Sequence, residues 1–133
     1  MSMKKRLWLG MTLLAACGCA TVGTMRSNSA EAGTERRFTA NQEAVLSASQ
    51  EALAEMGLKV VETYKIDDSS SAIIAKEGMN AVSYGVLVRV VTQKISENET
   101  SVRFLTKRRL ATNVFAEGDF SQPFFWNLEG KLK

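Results

Sequence analysis

Few residues of this chain are of a type and spacing that support covalent or ionic chemistry. Cys17 and Cys19 are its only cysteines, and it contains no histidine. A hydrolytic serine or cysteine is ordinarily activated by an imidazole, so Ser-His-Asp and Cys-His catalysis are excluded, as is zinc held by the usual Cys/His set. Lys107-Arg108-Arg109 is the one dense basic run beyond the N-terminus. It has the chemistry to hold the phosphates of an anionic lipid or glycolipid, each cation near such a surface contributing about 1 kcal/mol. The alternative is a solvated strand end balanced by Glu62 or Glu117, whose charge discourages edge pairing. Asp67-Asp68 with Ser69 to Ser71 offers oxygen ligands but lacks the spacing and the glycine of a calcium loop, so it reads as a turn. Asn98-Glu99-Thr100 is likewise turn chemistry. Neither G-x-x-x-x-G-K nor G-x-G-x-x-G occurs, and no Ser-Lys spacing stands out. No cofactor, metal or catalytic set is expected.

The thiol with the most telling surroundings is Cys17. Lys4, Lys5 and Arg6 precede an apolar run, Leu7 to Leu14, in the layout of an export signal. That run falls short of the ~20 residues a membrane-spanning helix needs. Leu14-Ala15-Ala16-Cys17 resembles the lipobox of bacterial lipoproteins. The resemblance implies a diacylglyceryl group on the Cys17 thiol, cleavage before Cys17, and acylation of the freed amine. One acyl chain binds a bilayer marginally, whereas two or three hold firmly, at about 0.8 kcal/mol per buried methylene. The alternative is an ordinary signal peptide cut near Ala20. Gly18 after the cysteine implies delivery to the outer membrane rather than retention at the inner one, with the domain facing the periplasm.

Cleavage changes the charge balance. The full chain carries 17 basic and 14 acidic side chains. Losing residues 1–16 removes Lys4, Lys5 and Arg6 and no acid, leaving 14 of each sign. A neutral, exported domain has no electrostatic basis for general nucleic-acid binding. Residues 17–34 (the lipidated end, then small polar residues without apolar periodicity) read as a flexible tether. Residues 35–133 form one domain of a size that folds without disulfides or metals.

The elements that position these residues follow from periodicity. Glu35 to Phe38 is a strand candidate, and Thr39-Ala40-Asn41-Gln42 has the form of a capping box. Val45, Ala48, Ala52, Leu53 and Met56 recur at helical spacing, and Gly57 then stops the helix so that Leu58 folds back on it. Leu58, Val60 and Tyr64 alternate with Lys59, Thr63 and Lys65, although Val61 and Glu62 blur the pattern. Ala72 to Lys76 is the next strand. Val82 to Ile95 is a β-branched run with Val82, Tyr84, Val86, Val88 and Val90 on one face. Arg89 and Gln93 point the other way, so that face is expected to be partly wet, and Gly85 marks a candidate bulge. After a turn at Ser96 to Glu99, Ser101 to Arg109 returns with Val102 and Phe104 inward. Leu110 to Gly118 reads as irregular. Asp119 or Ser121 then caps a helix whose Phe124, Phe125, Leu128 and Leu132 share one side. Trp126 falls roughly opposite that stripe, where an indole is typical of a partner contact; otherwise it tucks beneath the irregular segment. The expected class is α+β, ordered β-α-β-β-β-β-α, with an antiparallel sheet and its helices on one face.

This pattern resembles a family of small bacterial lipoproteins of unknown function. Phe38, Ala44, Leu53-Ala54-Glu55-Met56-Gly57-Leu58, the paired strands and the short C-terminal helix carry the likeness. A more distant likeness is to the helix-and-sheet domains of BamC-type lipoproteins, accessories of outer-membrane barrel assembly. It implies an architecture and no functional residue. The expected function is a tethered, non-catalytic module for an envelope protein partner, the alternative being a lipid- or glycan-binding module between sheet and helices.

Overall fold

Alternating and β-branched segments pair into one antiparallel sheet, and helices cover both of its faces. The computed structural model describes residues 22–27, 29–30, 32–77, 85–108 and 120–133. The elements are α1 (Val22–Ser27), β1 (Thr34–Phe38), α2 (Gln42–Glu55), β2 (Lys59–Asp67), β3 (Ser70–Lys76), β4 (Val86–Ser96), β5 (Glu99–Arg108) and α3 (Ser121–Lys131). Strand order is β1-β5-β4-β3-β2, every neighbour antiparallel. This is the expected α+β class, in which β2 to β5 form a meander. Because β1 and β2 are opposite edges, α2 carries the chain across the sheet between them.

Helix α2 starts and stops for identifiable reasons. Its N-cap is Asn41, whose Oδ1 accepts from the Ala44 N–H at 2.8 Å. The expected Thr39–Gln42 capping box is therefore replaced. Gln42 instead donates from Nε2 to Ser69 O at 3.0 Å and Thr92 O at 3.1 Å, tying the helix start to the sheet. At the other end Gly57 has φ +81°, and the Gly57 and Leu58 N–H groups donate to Ala54 O and Leu53 O, both at 3.0 Å. This paired hydrogen bond over a left-handed glycine folds Leu58 into the core as expected.

The main core lies between the sheet and the pair α2 and α3. Val45, Ala52 and Leu53 meet Ile73, Ala75, Val88, Val90, Val102 and Phe104, and α3 adds Phe124, Phe125 and Leu128. Each fully buried Val, Leu or Phe contributes about 1.5–3 kcal/mol. The phenyl rings of Phe104 and Phe124 lie 4.7 Å apart, and those of Phe124 and Phe125 5.4 Å apart. Pro123 lies in the first turn of α3, but the N-cap is Phe120 without a side-chain cap; Ser121 is the first helical residue and is buried.

The blurred alternation in β2 is a β-bulge. Register shifts between Val60 and Glu62, so Val60 pairs with Ala75 over the main core while Glu62 and Tyr64 pair with Ile74 and Ala72 on the opposite face. Leu58, Val60 and Tyr64 thus do not share one face. A second shift follows Lys65. Two bulges and the edge lysines blunt β2 against pairing with another chain. Gly85 is not a bulge; it precedes β4.

The face bearing Arg89 is not wet there. Arg89 is 1% exposed because α1 lies over it. Met25 of α1 is fully buried against Ile74 and Leu87, with Val22, Tyr64 and Leu105 around it. The Arg89 guanidinium donates from Nη1 to Met25 O at 2.8 Å and from Nη2 to Ser29 O at 2.6 Å. Arg26 completes the clasp, 3.1 Å from the Glu62 carboxylate and 4.4 Å over the Tyr64 ring. Val22 to Ser27 was expected to belong to a flexible tether. Six residues cannot sustain a helix alone, and here the sheet supplies the missing stabilisation. The two expected helices, α2 and α3, thus share one face as expected, and α1 adds a third, short helix on the other.

Candidate functional site

Helix α3 is fixed on three sides and bare on the fourth. Its inner side is buried in the aromatic core. Lys131 Nζ reaches Glu55 at 2.7 Å and Glu51 at 3.7 Å on α2, and Glu129 lies 3.8 Å from Arg36 on β1. The Glu55 carboxylate raises the Lys131 pKa above its ordinary value by hydrogen bonding. Trp126 points outward and is 78% exposed, the largest exposure of any big hydrophobic side chain among the described residues. One turn to either side stand Pro123 and Gly130, both exposed. A Cβ added at Gly130 would meet nothing within 4 Å. Along the helix the indole thus has a compact ring at i−3 and a bare backbone at i+4, with the exposed Gln122 and Glu129 at i−4 and i+3.

Of the other expected site residues, Lys107 is exposed near the end of β5. The side chain of Arg108 and the whole of Arg109 lie outside the described residues, as do Cys17, Cys19, Val82, Tyr84, Glu117, Asp119 and the Leu110–Gly118 segment. Glu62 does not balance the basic run; it is taken by Arg26. Asp67 forms the expected turn, its Oδ1 accepting from the Ser69 N–H at 2.8 Å.

Sequence reading missed Lys59 and Lys76 as partners of Lys107. Register brings them together. Lys59 pairs with Lys76, Lys76 with Leu87, and Leu87 with Lys107. Leu87 packs with Met25, so this row lies on the face that α1 occupies. The signal in the sequence is strand parity: Lys59 and Lys76 sit beside the core residues Leu58 and Ala75, and Lys107 lies three residues past Phe104, out of phase with it.

Acids on the α1 face stand farther along the strands. The Ser101 hydroxyl, followed by Arg103 and Arg37, holds the Glu35 carboxyl below its usual range. The Ser69 N–H does the same for Asp67. A depressed carboxylate contributes stability that is present above its unfolded pKa and lost as pH falls through the folded value. Denaturant midpoints therefore decline as pH drops from about 5 toward 3, and Glu35→Gln with Asp67→Asn makes that decline shallower. An unchanged slope in the double variant overturns the assignment.

Two surface cavities are polar. One of about 530 Å³ opens between the start of α2 and the β4–β5 turn, lined by Asn41, Gln42, Glu43, Lys94, Glu97 and Asn98. The other, about 110 Å³, lies where Ala30 meets Val91, Gln93, Ser101 and Arg103. Among the described residues no helix is long and apolar enough to cross a membrane. No protein-family model matches the chain, and comparison with curated proteins finds no match. What the geometry offers is two surfaces on opposite sides of the sheet: an outward indole on α3, and a basic row beside α1.

Proposed function

We propose that this chain is a non-catalytic, lipid-tethered module of a bacterial envelope, which binds a protein partner through the outer side of α3. The observation that carries the reading is Trp126. Its helix is locked by three ion pairs and a buried aromatic stripe, yet the indole itself packs on little of its own domain. A rigid, exposed Trp loses little conformational freedom on binding and removes a large apolar area from water. The leader resemblance at Cys17 supports the tether. From Cys17 to Val22 an extended chain spans at most ~18 Å, so a domain clasped through α1 would ride close to its bilayer. Trp126, on the far side of the sheet from α1, would then face outward.

In-cell crosslinking of the tagged chain tests this. Trp126→Ala is expected to lower capture of the crosslinked neighbour by about 30-fold or more, the effect of a central aromatic contact worth at least about 2 kcal/mol. The domain's own stability should shift by no more than about 0.5 kcal/mol, since the side chain is exposed. Gly130→Ala gives a second reading. It stabilises the helix by about 0.5–1 kcal/mol and adds a methyl that touches nothing of the domain within 4 Å, so only a partner seated closely over this side of α3 is captured less. Undiminished capture by Trp126→Ala would remove the basis of the proposal.

A further inference from the structure

We propose that Lys59, Lys76 and Lys107 form the surface on which the domain rests against anionic phosphates of its own bilayer. The inference deepens the tethered-module reading and rests on it. Three observations carry it.

The first is a like-charge row. Neighbouring strands lie about 4.8 Å apart, so the row from Lys59 through Lys76 and Leu87 to Lys107 crosses four strands in roughly 14 Å. Lys59 and Lys76 are direct cross-strand partners, an arrangement that is destabilising for like charges. Among the described residues none of the three is engaged in an ion pair. Their ammonium groups thus have unused capacity for an anion.

The second is charge segregation. On the same face Glu62, Glu35 and Asp67 occupy positions progressively farther along the sheet, level with Arg89, Val91 and Gln93 of β4, whereas the lysines lie level with Leu87. Glu62 and Glu35 are already matched by Arg26 and Arg103. Among the described residues the lysine end of this face is therefore cationic; Glu77, which follows Lys76 and donates its N–H to Val86 O at 3.0 Å, stands at the same end but out of phase with the row.

The third is the direction of α1. Met25 packs on Ile74 and Leu87, Arg26 on Glu62 and Tyr64, and Ala30 beside Val91 and Gln93. The chain thus advances from the Leu87 level toward the Gln93 level, and Val22 begins at the lysine end. Cys17 precedes Val22 by five residues, a reach of at most ~18 Å. An acylated Cys17 would hold the lysine row at headgroup distance, where phosphate is the abundant anion. Each lysine near an anionic surface is then worth about fivefold in binding.

The test uses the mature chain reconstituted in vesicles of phosphatidylcholine alone, or of phosphatidylcholine with phosphatidylglycerol. Lysine labelling by an amine-reactive ester is read peptide by peptide. Lys59, Lys76 and Lys107 should label at least fivefold more slowly with phosphatidylglycerol, whereas Lys65, Lys94 and Lys133 keep their rates. Equal rates at all six overturn the proposal. A third arm adds inorganic phosphate to the neutral vesicles; protection as strong as that from phosphatidylglycerol would make the row a free-anion site and also overturn it. The intact mass of the same sample reads the tether separately. An unmodified Cys17 refutes the anchor, while uniform labelling in an acylated sample refutes the lysine row alone.

Discussion

Arg89→Ala releases α1 from the sheet and raises tryptic cleavage after Arg26 by at least 30-fold, with the main core still folded. Arg89 holds α1 by two charge-assisted bonds, at 2.8 Å to Met25 O and 2.6 Å to Ser29 O. Such bonds contribute about 1.5–3 kcal/mol each, and part of that sum is offset because a buried guanidinium no longer has to be desolvated. A net loss of about 2–4 kcal/mol exceeds what six helical residues can replace on their own. The residues of the main core lie on the other face and do not depend on this contact. Arg89→Met separates the hydrogen bonds from the packing: it keeps an unbranched apolar stem but has no donors, and is expected to release α1 as well. Wild-type cleavage rates in both variants would show that Met25 burial alone holds the helix. Release also lengthens the leash. With α1 docked the free span from Cys17 is at most ~18 Å, and with β1 as the first fixed element it reaches ~60 Å.

Gly33→Ala destabilises the whole domain by about 3 kcal/mol. Gly33 has φ +105°, a conformation that costs an L side chain about 1–3 kcal/mol. A Cβ there would also stand 2.4 Å from Phe104 O and 2.8 Å from Phe104 C, both backbone atoms of β5. The clash is relieved only by moving β1 away from β5, at the residue whose ring is central to the aromatic core. For a domain of this size the expected fall in Tm is roughly 12–24 °C. Gly57→Ala is the matched control. Its φ is +81°, but nothing lies within 4 Å of an added Cβ, so about 1 kcal/mol is expected. Equal losses at the two glycines would show that backbone conformation, and not the close approach to Phe104, sets the effect at Gly33.

Local rules made much of the fold legible. The Val45–Leu53 stripe, the Gly57 stop and the Phe124–Leu128 stripe each follow from contacts within a turn or two, so their spacing in the chain suffices. Trp126 was legible for the same reason: helical geometry alone sets it opposite Phe124, Phe125 and Leu128. The cap at Asn41 shows the limit of such rules. Thr39 and Gln42 fit a capping box, but Ser69 O and Thr92 O, 27 and 50 residues away, claim the Gln42 amide.

By itself, then, the sequence determined the α+β class, the order of the strands and helices along the chain, the side on which Trp126 would stand, and the expectation of a tether at Cys17. Only the tertiary structure decided that Arg89 is buried, that α1 exists, and that Lys59, Lys76 and Lys107 stand in one row. These depend on which face a bulge at Val61 assigns to each residue and on what covers that face. Alternation along one strand reports two sides. Pairing between strands distant in sequence decides which residues become neighbours, and docking of a six-residue helix decides which side is dry.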